Sequence, residues 1–189
     1  MYTKTIYLSG GSFYELEAVF SKIKGTEKVT TGYITAGKEV TSHEAVLRGD
    51  FPAILGIKVE YDPKKIDLSS ILDVLFTVVN PYLENQAEDL KGPMYQSGVW
   101  YNSGEDEPII DYYMNFIRNR QKTPAATEAG LTMNDPNSDK VNLRRLFAKA
   151  GRLINFSPAA DEHQNFLSKH PETKTHIDFV MLKELGIIE

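Results

Sequence analysis

The chain has 189 residues, a net charge of -5 and 41% hydrophobic residues, an ordinary balance for one soluble globular domain with a full core. Acidic and basic residues are mixed without a basic stripe, and no apolar run is long enough to span a membrane, so neither a nucleic acid nor a membrane is expected as a partner. The chain contains no cysteine, which excludes disulfides, thiolate metal sites and a cysteine nucleophile.

The N-terminal part predicts a strand, a tight turn and a helix. Residues 6–9 are typical of a short buried strand, Gly10 and Gly11 of a turn, and residues 13–24 of a helix that Gly25 ends. Ser12 is therefore expected at the N-terminus of a helix, where backbone N–H groups and the helix dipole favour an anion or a thiolate. As an N-cap, its hydroxyl would stabilise the helix by about 1 kcal/mol.

Strands and helices alternate along the rest of the chain. Predicted strands cover residues 27–35, 53–61, 97–101 and 146–154, and predicted helices cover 68–79, 109–121, 159–167 and 175–185. Asp67 is expected to cap the helix at 68–79. Residues 82–95 are predicted to be a surface loop. Residues 122–142, rich in Thr, Ala, Asn, Asp, Pro and Ser, are interpreted as an insertion.

This order of elements predicts a single α+β domain over residues 1–189, built as a two-layer α/β sandwich with a small mixed sheet. The insertion near 122–142 and an extra C-terminal helix near 175–186 would be additions to it. The N-terminus has no apolar segment typical of a signal peptide, so a cytoplasmic location is expected.

Eight short segments form an ordered series of motifs. They are Gly10-Gly11-Ser12-Phe13-Tyr14, the helix positions Glu17 and Phe20, Thr31-Gly32-Tyr33, Val46-Leu47-Arg48-Gly49-Asp50, Val59-Glu60-Tyr61-Asp62-Pro63, Asn80-Pro81, Gly92-Pro93-Met94-Tyr95-Gln96-Ser97, and the segment from Phe156 to Phe166. The series resembles the peptide methionine sulfoxide reductase A family, whose motifs include Gly-Gly-Cys-Phe-Trp, Val-x-Tyr-Asp-Pro and Gly-x-Gln-Tyr-Arg-Ser. The segments occur in the family's order and span most of residues 5–170.

The resemblance implies the fold of that family and the reduction of methionine-S-sulfoxide, free or in proteins, as a repair of oxidative damage. In the family, a thiolate attacks the sulfoxide sulfur, an acid protonates the oxygen and a sulfenic acid forms. A second thiol or thioredoxin then regenerates the enzyme. The implied partners are methionine sulfoxide and an external thiol or thioredoxin as reductant, with no bound cofactor and no metal.

The same motifs supply the candidate site residues. Ser12 stands at the position of the family's cysteine, and Phe13 and Tyr14 match the residues that flank a methyl-sized pocket. Tyr95 matches a second pocket tyrosine. These three aromatic residues are equally consistent with packing in the core. His43 falls on another pocket tyrosine and is interpreted as a neutral donor toward a ligand oxygen or as a surface histidine.

Several positions depart from the family pattern. In a gapless alignment the proton-donating glutamate falls on Leu55, and an aspartate falls on Leu90, next to Asp89. Serine cannot replace the thiol, because its oxygen would have to accept another oxygen. Since positions 12, 43, 55 and 90 depart together, divergence from reductase chemistry is favoured over a single Cys→Ser replacement, while a rearranged acid set with only residue 12 replaced stays open. The alternative function is a pseudoenzyme that binds a methionine-like or other small ligand, or a protein partner.

Overall fold

The computed structural model describes residues 2–87, 89–119 and 145–189, so the insertion predicted at 122–142 lies outside the described residues. The strands are β1 (Lys4–Ser9), β2 (Thr26–Thr35), β3 (Ile54–Tyr61), β4 (Gln86–Ala87), β5 (Leu90–Lys91), β6 (Gly98–Tyr101), β7 (Lys149–Arg152) and β8 (Asn155–Pro158). The α-helices are α1 (Phe13–Phe20), α2 (His43–Leu47), α3 (Leu68–Val78), α4 (Glu107–Asn119), α5 (Phe166–Lys169) and α6 (Phe179–Glu184). Pro93–Tyr95 and Asp161–His163 form 3-10 turns.

Six strands form one mixed sheet in the order β7-β6-β1-β3-β2-β8, and β4 pairs with β5 in a separate ribbon. Every neighbouring pair in the large sheet is antiparallel except β6 and β7, which are parallel. The central strands β1 and β3 carry fully buried side chains such as Leu8 and Ile57. The predicted α+β class with a mixed sheet is therefore confirmed.

Helices cover the sheet with amphipathic faces. Helix α1 packs on β2 and β3 and buries Phe13, Leu16 and Phe20. Helix α3 buries its apolar face and packs against α4, and the Asp67 carboxylate accepts the Ser70 N–H at 2.7 Å, which confirms the predicted cap. Within the described ranges no helix is long and apolar enough to cross a membrane.

The helix predicted at 159–167 is wrong. The structure has a 3-10 turn at Asp161–His163 and then the short helix α5, separated by Asn165, whose φ is +52°. The Gln164 side chain pairs with the backbone of Thr31 as a neighbouring strand would. Its amide accepts the Thr31 N–H and donates to the Thr31 carbonyl, both at 2.9 Å. These bonds tie the segment to β2 and prevent a regular helix.

Other boundaries also differ from the prediction. Helix α1 ends at Phe20 rather than at residue 24, and the strand predicted over 146–154 is shorter and is followed by the unpredicted strand β8. The predicted loop at 82–95 contains β4, β5 and a 3-10 turn, and helix α2 was not predicted. The C-terminal helix predicted over 175–185 is the shorter α6, followed by Gly186 at a φ of +69°.

Gly10 closes the turn between β1 and α1 where a side chain has no room. Its φ is +150°, and a Cβ there would lie 2.5 Å from Cγ1 of Val79. We expect Gly10→Ala to lower the free energy of unfolding by about 1–3 kcal/mol through overpacking. Gly104→Ala is the matched control, because a Cβ at Gly104 would meet none of the described residues within 4 Å. Equal midpoints for the two variants in urea denaturation would contradict this account of the turn.

Candidate functional site

Ser12 occupies the junction between the β1 turn and helix α1. Its backbone is extended, with φ -71° and ψ 121°, and its carbonyl accepts the Leu16 N–H at 3.2 Å, so Ser12 is the N-cap residue by backbone position. Its hydroxyl forms no hydrogen bond to the helix N-terminus, so the predicted capping hydrogen bond is wrong. The side chain is half-buried and is not held by the helix that it precedes.

Six rings from distant parts of the chain pack together beside this turn, and we call them the aromatic–imidazole cluster. They are Phe13, Tyr14, Tyr33, His43, His163 and Phe166. Phe13 is almost fully buried and lies nearly parallel to His43, with ring centroids 5.6 Å apart. Tyr14 stacks on Phe166 at 4.1 Å, and the two imidazoles are 4.2 Å apart. The structure thus brings the predicted residues 13, 14 and 43 together.

Two tyrosine–histidine hydrogen bonds fix the imidazole rings of the cluster. The Tyr33 hydroxyl lies 2.7 Å from Nδ1 of His43, and the Tyr14 hydroxyl lies 2.6 Å from Nδ1 of His163. For His43, this hydrogen bond leaves Nε2 as the ring nitrogen that can meet a ligand, whereas Nε2 of His163 lies 3.5 Å from the Glu162 carboxylate. His43 is half-buried in this arrangement, so its interpretation as a plain surface histidine is wrong.

Burial controls the protonation of these groups. It raises the pKa of Tyr14 to about 12 and also raises the pKa of Tyr33, so both phenols keep their protons at neutral pH. Burial, and then the neighbouring His163, lower the pKa of His43. The nearby carboxylates of Glu44 and Glu162 act in the opposite direction on His43 but more weakly.

The segment that carries His163 is anchored to helix α1 by a buried carboxylate. Glu17 is only 3% exposed, and its Oε1 accepts the Asn165 N–H at 2.8 Å. The His163 carbonyl also accepts the Thr31 hydroxyl at 2.9 Å. His163 is therefore hydrogen-bonded on both its ring and its backbone, and Glu17 holds the following residues where Phe166 meets Tyr14.

Comparison with known proteins identifies the family of this chain. A sequence model described as peptide methionine sulfoxide reductase matches residues 4–185. The chain belongs to this family. It is 32% identical over 177 residues to the peptide methionine sulfoxide reductase MsrA of Mycoplasma genitalium, an alignment that covers 93% of this chain and 99% of that protein.

Solved structures of the family share the fold. Reduced Mxr1 from Saccharomyces cerevisiae matches with a TM-score of 0.75 at 21% identity, over 92% of this chain and 88% of that one. Mxr1 has also been solved in complex with Trx2, and that structure matches with a TM-score of 0.50 at 16% identity over 87% and 84% of the two chains. The fold predicted from the motifs is thereby confirmed.

The position where the family alignment places a glutamate is apolar in this reductase-family chain. Leu55 lies on β3 directly opposite Tyr33 on β2 and is 3% exposed. The cross-strand neighbour of a cluster tyrosine is thus a leucine, and no proton donor is available at that position. Leu90 lies in β5, and the adjacent Asp89 carboxylate is mostly exposed and lies 3.1 Å from Nε2 of His176.

Tyr95 has a different setting from the other candidate residues. It ends the 3-10 turn at Pro93–Tyr95, is half-buried, and accepts the Gly11 N–H through its carbonyl at 3.4 Å. Burial raises the pKa of its hydroxyl, and Asp89 adds to this. Its backbone therefore supports the turn before Ser12, while no ring contact joins it to the cluster within the described residues.

Sequence reasoning missed the pairing of Tyr33 with His43 and the contribution of Phe166. The strand pattern could have indicated the position of Tyr33. Thr31 and Tyr33 are two residues apart in β2 and share one face, and Thr31 bonds to residues 163–164. The position of His43 could not be predicted from a strand pattern, because helix α2 was not predicted and the loop between β2 and α2 determines where His43 lies. Within the described residues, no three His, Asp or Glu side chains are placed to hold a metal ion.

Glu17 gives a testable dependence of stability on pH. Burial raises its pKa above the ordinary value of 4.5, so folding favours the protonated form. The contribution of protonated Glu17 to the free energy of unfolding is fully present below the unfolded-state pKa. It is lost as the pH rises through the higher folded-state pKa. We therefore expect the unaltered chain to gain stability relative to Glu17→Gln as the pH falls from 7 toward 4.5. Urea unfolding of both chains at several pH values measures this, and a difference that stays constant over the range would contradict it.

Proposed function

We propose that this chain recognises methionine-S-sulfoxide, and that its family reaction, reduction to methionine, requires a thiol at position 12. With serine at that position, the chain binds the sulfoxide without reducing it. The observation that supports this is the aromatic–imidazole cluster, which lies beside the strand-to-helix turn that carries Ser12. The family membership supplies the ligand class.

The cluster offers what a sulfoxide side chain requires. Its methyl and methylene groups need an apolar aromatic surface, which the half-buried Tyr14 offers with the buried Phe13 ring packed against it at 4.8 Å. Its oxygen is a strong hydrogen-bond acceptor and needs a donor, for which His43 is the candidate. We include Tyr95 as a further ligand contact, because it supports the turn at Gly11 and matches a pocket tyrosine of the family.

The chemistry of position 12 separates binding from reduction. A thiolate can accept the sulfoxide oxygen and become a sulfenic acid, whereas a serine hydroxyl is not ionised near neutral pH and its oxygen would have to form a peroxide. The chain contains no cysteine at any position that could take over this role. As it stands, the chain is thus a pseudoenzyme with the fold of a reductase.

A reductant matters only when a thiol is present. No second cysteine could resolve a sulfenic acid within this chain, so regeneration would depend on an external thiol. The complex of yeast Mxr1 with Trx2 supports thioredoxin as the class of reductant for a form with a thiol at position 12. A cytoplasmic location is part of this proposal.

Calorimetric titration of the unaltered chain tests the binding part of the proposal. Because Ser12 cannot react, a peptide with methionine-S-sulfoxide should form a stable complex and release no methionine when a dithiol is present. The R-sulfoxide and the unoxidised peptide are matched control ligands, and we expect each to bind at least about tenfold more weakly, a difference of about 1.4 kcal/mol. Equal heats for all three peptides would contradict recognition of the sulfoxide and favour the alternative of a different ligand or a protein partner.

A further inference from the structure

We infer that His43 is the proton donor to the sulfoxide oxygen in this chain, held for that role by Tyr33 and His163. The inference rests on the proposed function and deepens it, because it identifies the acid group at the same site. It gives the cluster a proton source that does not need a carboxylic acid.

The His43 ring is held on three sides. Phe13 lies almost parallel to the His43 ring, with an angle of 11° between the ring planes, and His163 packs beside the ring with centroids 4.2 Å apart. The Tyr33 hydroxyl holds Nδ1 at 2.7 Å. A hydroxyl can donate to the neutral ring or accept from the protonated ring, so Tyr33 holds His43 in either state.

The remaining ring nitrogen is available to a ligand. Within the described residues, Nε2 of His43 has no hydrogen-bond partner, although the ring is half-buried against the cluster. By contrast, Nε2 of His163 lies 3.5 Å from the Glu162 carboxylate. A fixed ring with one unused donor, next to Phe13 and Tyr14, is the arrangement that recognition of a small acceptor requires.

The other polar groups of the cluster are poorer acids or are already engaged. Tyr14 and Tyr33 hold their protons too tightly at neutral pH, because burial raises the pKa of both phenols. The Glu17 carboxylate accepts the Asn165 N–H at the start of α5. Leu55, opposite Tyr33, has a hydrocarbon side chain with no acidic proton to donate. An imidazole is then the group that can give up a proton near neutral pH.

The charges that face His43 set when it is protonated. Burial, and then His163, lower the pKa of His43 and disfavour its imidazolium, while the carboxylates of Glu44 and Glu162 raise that pKa more weakly. Tyr14 and Tyr33 stay neutral and add no charge. The lowered pKa of His43 means that its imidazolium releases the Nε2 proton readily.

In a form with a thiol at position 12, the reaction transfers the sulfoxide oxygen to the thiolate sulfur. The thiolate sulfur loses two electrons and gains a bond to oxygen, and the sulfoxide sulfur gains those electrons as its bond to oxygen breaks. The Nε2 proton of protonated His43 ends on the oxygen of the sulfenic acid, and methionine leaves as the thioether. An added dithiol then reduces the sulfenic acid to thiol and water and becomes a disulfide.

The first test uses the unaltered chain and needs no turnover. We expect N-acetylmethionine-S-sulfoxide amide to shift the imidazole ¹⁵N and ¹H resonances of His43 in NMR, while N-acetylmethionine amide leaves them in place. Binding of the sulfoxide with unmoved His43 resonances overturns the inference and leaves the proposed function standing. Failure of the sulfoxide to bind overturns both.

The second test measures single-turnover reduction with Ser12→Cys as the parent. Adding His43→Gln should lower the rate by about 100-fold and remove the fall in rate as the pH rises through the imidazole range. The rate of thiol alkylation should not change, which separates loss of the acid from loss of the thiolate. His176→Gln, an exposed histidine outside the cluster, is the matched control. An unchanged rate and pH profile with His43→Gln overturns the inference.

Discussion

Ser12→Cys is expected to reduce a methionine-S-sulfoxide peptide in a single turnover, whereas the unaltered chain is expected to form no methionine above the uncatalysed background. Removing the nucleophile of an enzyme typically costs on the order of 10⁴- to 10⁶-fold in rate, so the difference between the two chains should be of that size. Quenched-flow mixing followed by separation of the oxidised and reduced peptides measures it.

The physical reason lies in the turn that carries residue 12. Position 12 is the N-cap of α1, where the helix dipole and the first N–H groups stabilise a thiolate. The same surroundings cannot ionise a serine hydroxyl near neutral pH, and oxygen is not a useful acceptor of the sulfoxide oxygen. We therefore expect the chain to reduce the sulfoxide only when the side-chain oxygen of residue 12 is replaced by sulfur.

Ser21→Cys is the matched control for this prediction. Ser21 is the exposed C-cap residue of the same helix, so the variant adds one thiol at the opposite end of the helix dipole. We expect no reduction by Ser21→Cys beyond that of a free thiol. If Ser12→Cys folds, binds the sulfoxide and still produces no methionine, the cluster has lost the capacity for the family reaction.

The second large effect concerns stability. Lys4→Met is expected to lower the free energy of unfolding by about 3–5 kcal/mol, because it leaves the Asp106 carboxylate buried without its cation. Nζ of Lys4 lies 2.5 Å from Oδ1 of Asp106, whose side chain is fully buried, and this pair joins β1 to the start of α4. Among the described residues, the Oδ2 atom of Asp106 has no hydrogen-bond partner, so Lys4 is the group that offsets the buried negative charge.

Two further variants make this prediction specific. Lys65→Met removes the ion pairs of an exposed lysine with Glu27, at 3.1 Å, and with Asp62, at 3.7 Å, and should cost no more than about 1 kcal/mol. Lys4→Met combined with Asp106→Leu removes both charges and should recover most of the loss. Urea denaturation of all three measures the differences. A double variant as unstable as Lys4→Met alone would show that packing, rather than the unpaired charge, causes the loss.

The sequence predicts the scaffold better than the site. The turn at Gly10, the cap at Asp67 and the strand leading to Tyr61 follow from local patterns, because short-range sterics and apolar alternation determine them. The series of motifs indicated the protein family, which the composition alone could not indicate. These features need no knowledge of distant contacts.

The cluster itself could not be predicted in full. Its members His43 and His163 meet only because the long loop after β2 and the segment after β8 return to the same face of α1. The hydrogen bonds of Gln164 to β2, which replace a regular helix, are contacts between residues far apart in the chain. Local propensity cannot report such contacts.

The hydrogen bond between Tyr14 and His163 joins residues separated by 149 positions. During synthesis on the ribosome, the turn at position 12 therefore emerges long before the segment that closes the cluster around it. Every nascent chain passes through a stage that has the turn and helix α1 but lacks one imidazole and Phe166. Ligand recognition at this site is consequently a property of the finished polypeptide, and fragments that stop short of His163 should carry the family's leading motif without its binding capacity.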